Sequence, residues 1–218
     1  MISIPSYLAN LLSCVLYLRP FGDPAGGTTF RDWSPYRKTI TLSGAVTNSQ
    51  AQRIVDPTTI YLDGSGGYLY ADASSHFLFP GDFAVSCSYV PQSVSGDRTI
   101  FGTNSSLDFR MITSGANWYM YYAGAGSAAW SNPPTVGGKY QIDLIRSGST
   151  LTGYINGVSS ISVTTSASIG SSSVAFNLGR YSSQYAYGYV GEIAVWNGSL
   201  GKVPTITQLF PRTRRLIV

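Results

Sequence analysis

Short runs of alternating apolar and polar residues, each cut off by glycine or a small polar cluster, fill this chain from Val15 to Trp196. A period of two places successive side chains on opposite faces of a strand, so one face of each run can be buried. Phe83-Ala-Val-Ser-Cys-Ser-Tyr-Val90 is a clear case, with Phe83, Val85, Cys87 and Tyr89 on one face. Further strands are predicted at Val15–Leu18, Thr39–Leu42, Thr59–Leu62, Arg98–Phe101, Leu107–Ile112, Trp118–Tyr122, Lys139–Arg146, Val174–Leu178 and Tyr187–Trp196. Leu151–Ile155 and Val158–Val163 flank Asn156-Gly157, a pair that accepts positive φ at both positions and so predicts a two-residue hairpin.

About a dozen short strands with turn signals between them, and no convincing interior helix, predict an all-β fold. The expected architecture is a two-sheet antiparallel jelly-roll sandwich over residues 15–200. An N-terminal arm or short helix (1–14) and a basic, apolar C-terminal arm (201–218) flank it. No internal repeat, heptad or linker divides the chain. The Arg19–Tyr36 connection is long for a hairpin, and loops of that length are often functional.

Charged residues make up only 11% of the 218 residues, against roughly 25% in an average globular protein. The net charge of +4 comes from Lys202, Arg212, Arg214 and Arg215, since no acid follows Glu192; the rest of the chain balances. A broad basic stripe is missing, which argues against nucleic acid as a partner. Cys87 reads as a buried free thiol, and a Cys14–Cys87 disulfide stays open. Leu11-Leu-Ser-Cys14 is similar to a lipoprotein cleavage box. No basic residue precedes it, however, and the apolar run Tyr7–Leu18 is too short to span a bilayer. Pro5–Ser13 is therefore read as an arm, with no membrane insertion.

Several ordered motifs resemble those of laminin G-like, concanavalin A-type jelly-roll domains. Arg31-Asp-Trp-Ser-Pro35 is similar to the Asp-x-Ser turn after their first strand, and Leu62-Asp-Gly-Ser-Gly-Gly-Tyr-Leu69 resembles their typical signature. Phe79-Pro-Gly-Asp-Phe-Ala-Val85 is similar to the turn into a long sheet strand, and Tyr154-Ile-Asn-Gly-Val158 to their Asn-Gly hairpin. Phe176-Asn-Leu-Gly-Arg180 with Gly188-Tyr-Val-Gly-Glu-Ile193 resembles the closing pair. Gly64, Gly66, Gly67, Gly157 and Gly191 are expected where turns need positive φ or close backbone approach.

The resemblance is to the versions of this domain carried by tailed-bacteriophage virion proteins. It implies a structural protein of the particle surface, assembled in the host cytoplasm and most readily a capsid decoration or accessory protein. The alternative it implies is a tail-fibre or receptor-binding lectin that recognises bacterial surface glycans. Other virion proteins or sister subunits are the expected partners, in an oligomeric assembly, with host or environmental glycans as further ligands.

Catalysis is not expected. Glucanases on this fold place two glutamates on one strand face, and retaining chemistry needs carboxyl groups about 5 Å apart. Here Glu192 is the single glutamate and no two acids lie within three residues of each other. His76, the one histidine, has no nucleophile motif beside it, and Cys-His zinc spacing is missing. No cofactor is expected. Calcium stays open through Asp63 and Asp82, with Asp97 and Asp108 behind them, although Asp63 and Asp82 read first as turn formers.

Two aromatic stretches have the chemistry of a contact surface. In Asn117-Trp-Tyr-Met-Tyr-Tyr122, Trp118 and Met120 are assigned to the core, which turns Tyr119 and Tyr121 outward. Tyr181-Ser-Ser-Gln-Tyr-Ala-Tyr-Gly-Tyr189 combines rigid amphipathic rings with small neighbours, the vocabulary of antibody paratopes. Trp130, Tyr181, Tyr185, Tyr119 and Tyr121 are thus the candidate glycan or partner contacts. Arg212, Arg214, Arg215, Leu216 and Val218 form the candidate assembly arm, alternating charge with apolar surface.

Overall fold

The structure is a computed structural model, described over residues 13–20, 24–52, 58–103, 109–114, 117–122, 127–129 and 133–205. The Pro5–Leu12 arm, Asp108, Trp130 and the assembly-arm residues Arg212, Arg214, Arg215, Leu216 and Val218 lie outside those residues.

In the first half, strands run β1 (Cys14–Leu18), β2 (Ile40–Ser43), β3 (Val46–Ser49), β4 (Thr59–Asp63), β5 (Tyr68–Ala71), β6 (Leu78–Phe79), β7 (Phe83–Pro91) and β8 (Arg98–Thr103). Next come β9 (Phe109–Ser114), β10 (Asn117–Tyr122), β11 (Ser127–Ala129), β12 (Tyr140–Ser147), β13 (Thr150–Ile155) and β14 (Val158–Thr164). The last are β15 (Ile169–Gly170), β16 (Phe176–Leu178), β17 (Arg180–Tyr181), β18 (Gln184–Tyr185) and β19 (Tyr187–Asn197).

Two antiparallel sheets carry the architecture. One has the order β14-β13-β12-β7-β19-β4-β3, with β1 also pairing β19; the other runs β11-β10-β9-β8-β16-β5-β2. The expected all-β antiparallel sandwich is thus what forms. The facing sides meet in one apolar cluster that includes Phe83, Val85, Cys87, Phe101, Trp118, Met120 and Phe176. Trp118 is fully buried, as its alternation with Tyr119 predicts.

Local signals set several junctions. Asn156 (φ 52°) and Gly157 (φ 78°) supply the two left-handed residues, and Ile155 pairs directly with Val158. Asp32, in the Asp-x-Ser motif, is buried and draws the long first connection together. Its carboxylate accepts the N–H groups of Tyr17 (2.9 Å), Ser34 (2.8 Å) and Lys38 (2.7 Å), and the Ser34 hydroxyl (2.8 Å). That connection is a structural clamp between β1 and β2.

Two details differ from the sequence reading. Val46–Ser49 is a strand, paired along β4, although its residues carry little apolar pattern. Gly66 has ordinary φ and open space around it, so it is not held there by sterics. Gly67 is: a Cβ there would lie 2.5 Å from the Ala45 carbonyl oxygen, because the β2–β3 and β4–β5 turns pack backbone to backbone.

The two thiols are free and sit on opposite sides of the eight-stranded sheet. Cys87 joins the central core, and Cys14 joins Ala84, Ala194 and Trp196 on the outer side. A Cys14–Cys87 disulfide is excluded by that placement. Burial, with the nearby carboxylates of Asp143 and Glu192, pushes the Cys87 thiol well above its usual range.

Candidate functional site

The outer side of the seven-stranded sheet carries a continuous row of polar and aromatic side chains. The register places Thr41 beside Tyr70, Tyr70 beside Asn177, and Asn177 beside Gly102. Gly102 then pairs with Arg110, and Arg110 with Tyr121. Each of these positions alternates with core residues such as Leu69, Phe176, Leu178, Met111 and Met120, so the row faces away from the interior. Gly102 adds no side chain, and it is itself buried beside Asn177.

A cleft of about 270 Å³ opens at one end of this row. Tyr68, Tyr70, Asn177, Arg180, Tyr181 and Ser182 line it, together with Val174 and Ala175. Tyr68 and Tyr70 stack at 5.9 Å with an interplanar angle of 29°. Tyr185 approaches Tyr68 at 6.5 Å. Arg180 donates from Nη1 to the Tyr68 hydroxyl (2.6 Å) and from Nε to the Ser182 carbonyl (3.0 Å), with its guanidinium 4.6 Å from the Tyr68 ring centroid.

The β17–β18 hairpin that brings Arg180, Tyr181 and Tyr185 to the cleft is held from below. Arg98 donates to the carbonyls of Gly64 (3.0 Å) and Tyr185 (3.3 Å). Gln184 accepts from the Thr99 hydroxyl (3.0 Å) and donates to Asp97 (2.9 Å), and Asp97 in turn accepts from Ser114. The Gly179 N–H bonds the Ile100 carbonyl at 2.7 Å. Fixed rings cost little further ordering when a ligand arrives, so the platform is preorganised.

Of the sequence-predicted contacts, Tyr181 lines the cleft and Tyr185 stands beside it. Tyr121 joins them through Arg110, whose guanidinium lies between the Tyr181 and Tyr121 rings at 3.5 and 4.4 Å. Tyr119 is half-buried two residues away, on the same strand face. Sequence reasoning missed Tyr68, Tyr70, Asn177, Arg110 and Arg180. Their signal was present in the alternation of Tyr68 and Tyr70 around Leu69, but the glycine-rich signature there reads first as a turn.

Two of the calcium candidates, Asp63 and Asp82, accept hydrogen bonds from the chain itself. Asp63 Oδ1 accepts the N–H groups of Ser65 (3.1 Å), Gly66 (3.2 Å) and Gly67 (2.8 Å), and Oδ2 accepts the Ser65 hydroxyl (2.6 Å). Burial alone would raise this carboxyl, but those donors outweigh it and hold it below its ordinary value. Asp82 accepts the Gly148 N–H at 2.7 Å. No group of three or more His, Cys, Asp or Glu side chains that could hold a metal occurs among the described residues.

Glu192 sits on the other sheet, buried, where it accepts from the Tyr17 hydroxyl (3.0 Å) while its own N–H donates to Ser88 (2.9 Å). Asp143 accepts from Ser86 (2.6 Å) and Gln141 (3.1 Å) on the same side. Neither carboxylate lines the cleft. No described helix is long and apolar enough to cross a membrane.

The fold recurs in solved structures. A botulinum neurotoxin type C structure, whose cell entry depends on interaction with two ganglioside molecules, superposes with a TM-score of 0.71 at 12% identity, covering 97% of this chain and 53% of that one. Domain 4 of the extracellular arabinanase AbnA from Geobacillus stearothermophilus, in complex with arabinotriose, gives 0.67 at 13% identity over 92% and 98% of the two chains. The ligand-binding domain of botulinum neurotoxin serotype D, in complex with N-acetylneuraminic acid, gives 0.69 at 12% identity over 94% and 52%. The chain thus spans about half the length of the neurotoxin chains it matches. No curated protein matches its sequence. Residues 63–202 match the family described as the concanavalin A-like lectin/glucanases superfamily, and the chain belongs to that family.

Proposed function

We propose that this protein is a carbohydrate-binding, lectin-like domain whose ligand lies in the cleft on the outer side of the seven-stranded sheet. The observation that carries this reading is the rigid set of tyrosines around Asn177, opening onto solvent from a fixed hairpin. Sugar rings present apolar C–H faces that stack on such aromatics, and their hydroxyls pair with amide and phenol groups. The glycan complexes of the arabinanase domain and the neurotoxin domain support the class of ligand, since both share this fold.

Binding without hydrolysis is part of the proposal. Among the described residues no carboxylate lines the cleft, and a glycosidase of the usual kind needs two. The test is a glycan array probed with the wild-type protein and with Tyr68→Ala, Tyr70→Ala and Tyr181→Ala. Each variant should lose about 1–3 kcal/mol of binding, the range of other aromatic stacking platforms. An array without hits, or undiminished binding by all three variants, would overturn the reading.

For its biological setting we propose a tailed-bacteriophage virion, on the strength of the ordered motifs that resemble such proteins. A capsid decoration protein displaying the lectin-like domain fits best, with residues 201–218 as its docking arm. Deleting residues 211–218 should leave glycan binding intact and abolish incorporation into particles. Undiminished incorporation of the truncated protein would remove the virion assignment while leaving the lectin reading untouched.

A further inference from the structure

Among the described residues Arg180 is the one formally charged residue lining the cleft, and each of its described contacts is neutral. Nε meets the Ser182 carbonyl, Nη1 meets the Tyr68 hydroxyl, and the rings of Tyr68 and Tyr185 lie 4.6 and 5.9 Å from the guanidinium carbon. A guanidinium carries five N–H donors in a rigid planar fork, and these two bonds fix its orientation while leaving donors over. Among the described residues no acid lines the cleft. Arg110 adds a second guanidinium behind Tyr181, 3.5 Å from that ring's centroid.

Neutral sugars do not require this arrangement. Tyrosines and Asn177 suffice to stack and hydrogen-bond a hydroxylated ring, whereas the donors left over on a fixed guanidinium make their strongest bonds to an anion. The planar fork matches a carboxylate edge on, with two parallel N–H···O bonds. We infer that the cleft selects an acidic glycan, one whose sugar carries a carboxylate that docks on Arg180 while the ring stacks on the surrounding tyrosines. This inference rests on the carbohydrate-binding reading and narrows its ligand class.

Matched pairs on one array test it: oligogalacturonate against its methyl ester, sialyllactose against its carboxyl methyl ester, and a sulfated galactan against galactan. Each pair keeps the sugar shape and changes the charge. At least one carboxylated member should bind tenfold or more tightly than its neutral partner, with an affinity that falls as salt rises. Arg180→Gln should collapse the ratio between the acid and its neutral partner, and that ratio is the readout whatever the variant does to neutral-sugar binding. Arg180→Lys, which keeps the charge and loses the planar fork, should recover only part of the difference. Thermal melting of both variants confirms that they fold.

Equal binding of acidic and neutral members would overturn the acidic-glycan inference and leave the lectin proposal standing. Preference for the sulfated galactan alone would overturn the carboxylate assignment. Binding to no glycan at all would sink both.

Discussion

The guanidinium of Arg110 lies 3.5 Å from the centroid of the Tyr181 ring. The two residues come from β9 and from the β17–β18 hairpin, which pack together only because β16 inserts between β5 and β8. Cation–π contacts of this kind contribute about 0.5–2 kcal/mol, more as the pair is desolvated. Tyr181→Leu keeps the apolar volume and removes the quadrupole. It should lower stability by about 1 kcal/mol in urea titration and raise amide exchange in residues 180–185. Unchanged exchange there would show that Arg98 and Gln184 hold the hairpin unaided.

Gly67→Ala should destabilise the protein by at least about 2 kcal/mol, the scale of a buried steric conflict. Its Cβ would lie 2.5 Å from the Ala45 carbonyl and 2.9 Å from Asp63 Oδ1, so both the backbone contact and the Asp63 turn must give way. Gly66→Ala, with open space at the same turn, is the control and should be near neutral. Chemical denaturation of the pair decides it, and equal stability of the two variants would contradict the packing of these turns.

The single histidine offers a clean pH test. His76 Nδ1 lies 3.0 Å from the Lys38 ammonium and its ring centroid 4.2 Å from that of Tyr36. Burial, and then the Lys38 charge, hold its pKa below the ordinary histidine value. A depressed histidine means that the folded state prefers the neutral ring. Its contribution is therefore present above the unfolded pKa and lost as pH falls through the folded one. The melting temperature should decline between about pH 7 and pH 5, the window around and below a normal histidine. His76→Gln should flatten that decline; a wild-type profile that is already flat would refute it.

Calcium should have no effect on stability. A bound ion at a hundredfold excess over its dissociation constant would add about 2.7 kcal/mol. Asp63 already directs one oxygen at three backbone N–H groups and the other at the Ser65 hydroxyl. Melting curves in millimolar calcium and in chelator should superpose. A shift would point to Asp82, Asp97 or Asp108 as ligands.

Both cysteines should resist modification in the native state. Cys87 is buried in the central core with its thiol pushed up, and Cys14 is 5% exposed on the far side of the sheet. A thiol reagent should titrate neither until denaturant is added and then titrate two. Finding none in denaturant would require a disulfide that the fold keeps apart.

Much of the fold was legible in local chemistry. Period-two alternation assigned Phe83, Val85, Cys87 and Tyr89 to one face and separated Trp118 from Tyr119, because a pleated strand offers no other placement. Asn156-Gly157 fixed a hairpin, since few residue pairs accept two positive φ values. Asp63 announced a turn because a short carboxylate reaches the next backbone amides. These are decisions between residues a few positions apart, and the residue types alone settle them.

The cleft was not legible in this way. Tyr70, Asn177 and Arg110 meet only through the order β9-β8-β16-β5, where neighbours in space are up to about a hundred residues apart in sequence. Val46–Ser49 became a strand because β4 offered it an edge, not because its own pattern demanded one. Alternation tells each side chain which face it occupies, but strand order and register decide which residues share that face. Those are set by long-range pairing and by how the two sheets fill one core, so Arg180 acquired its bond to Tyr68 from the tertiary structure alone.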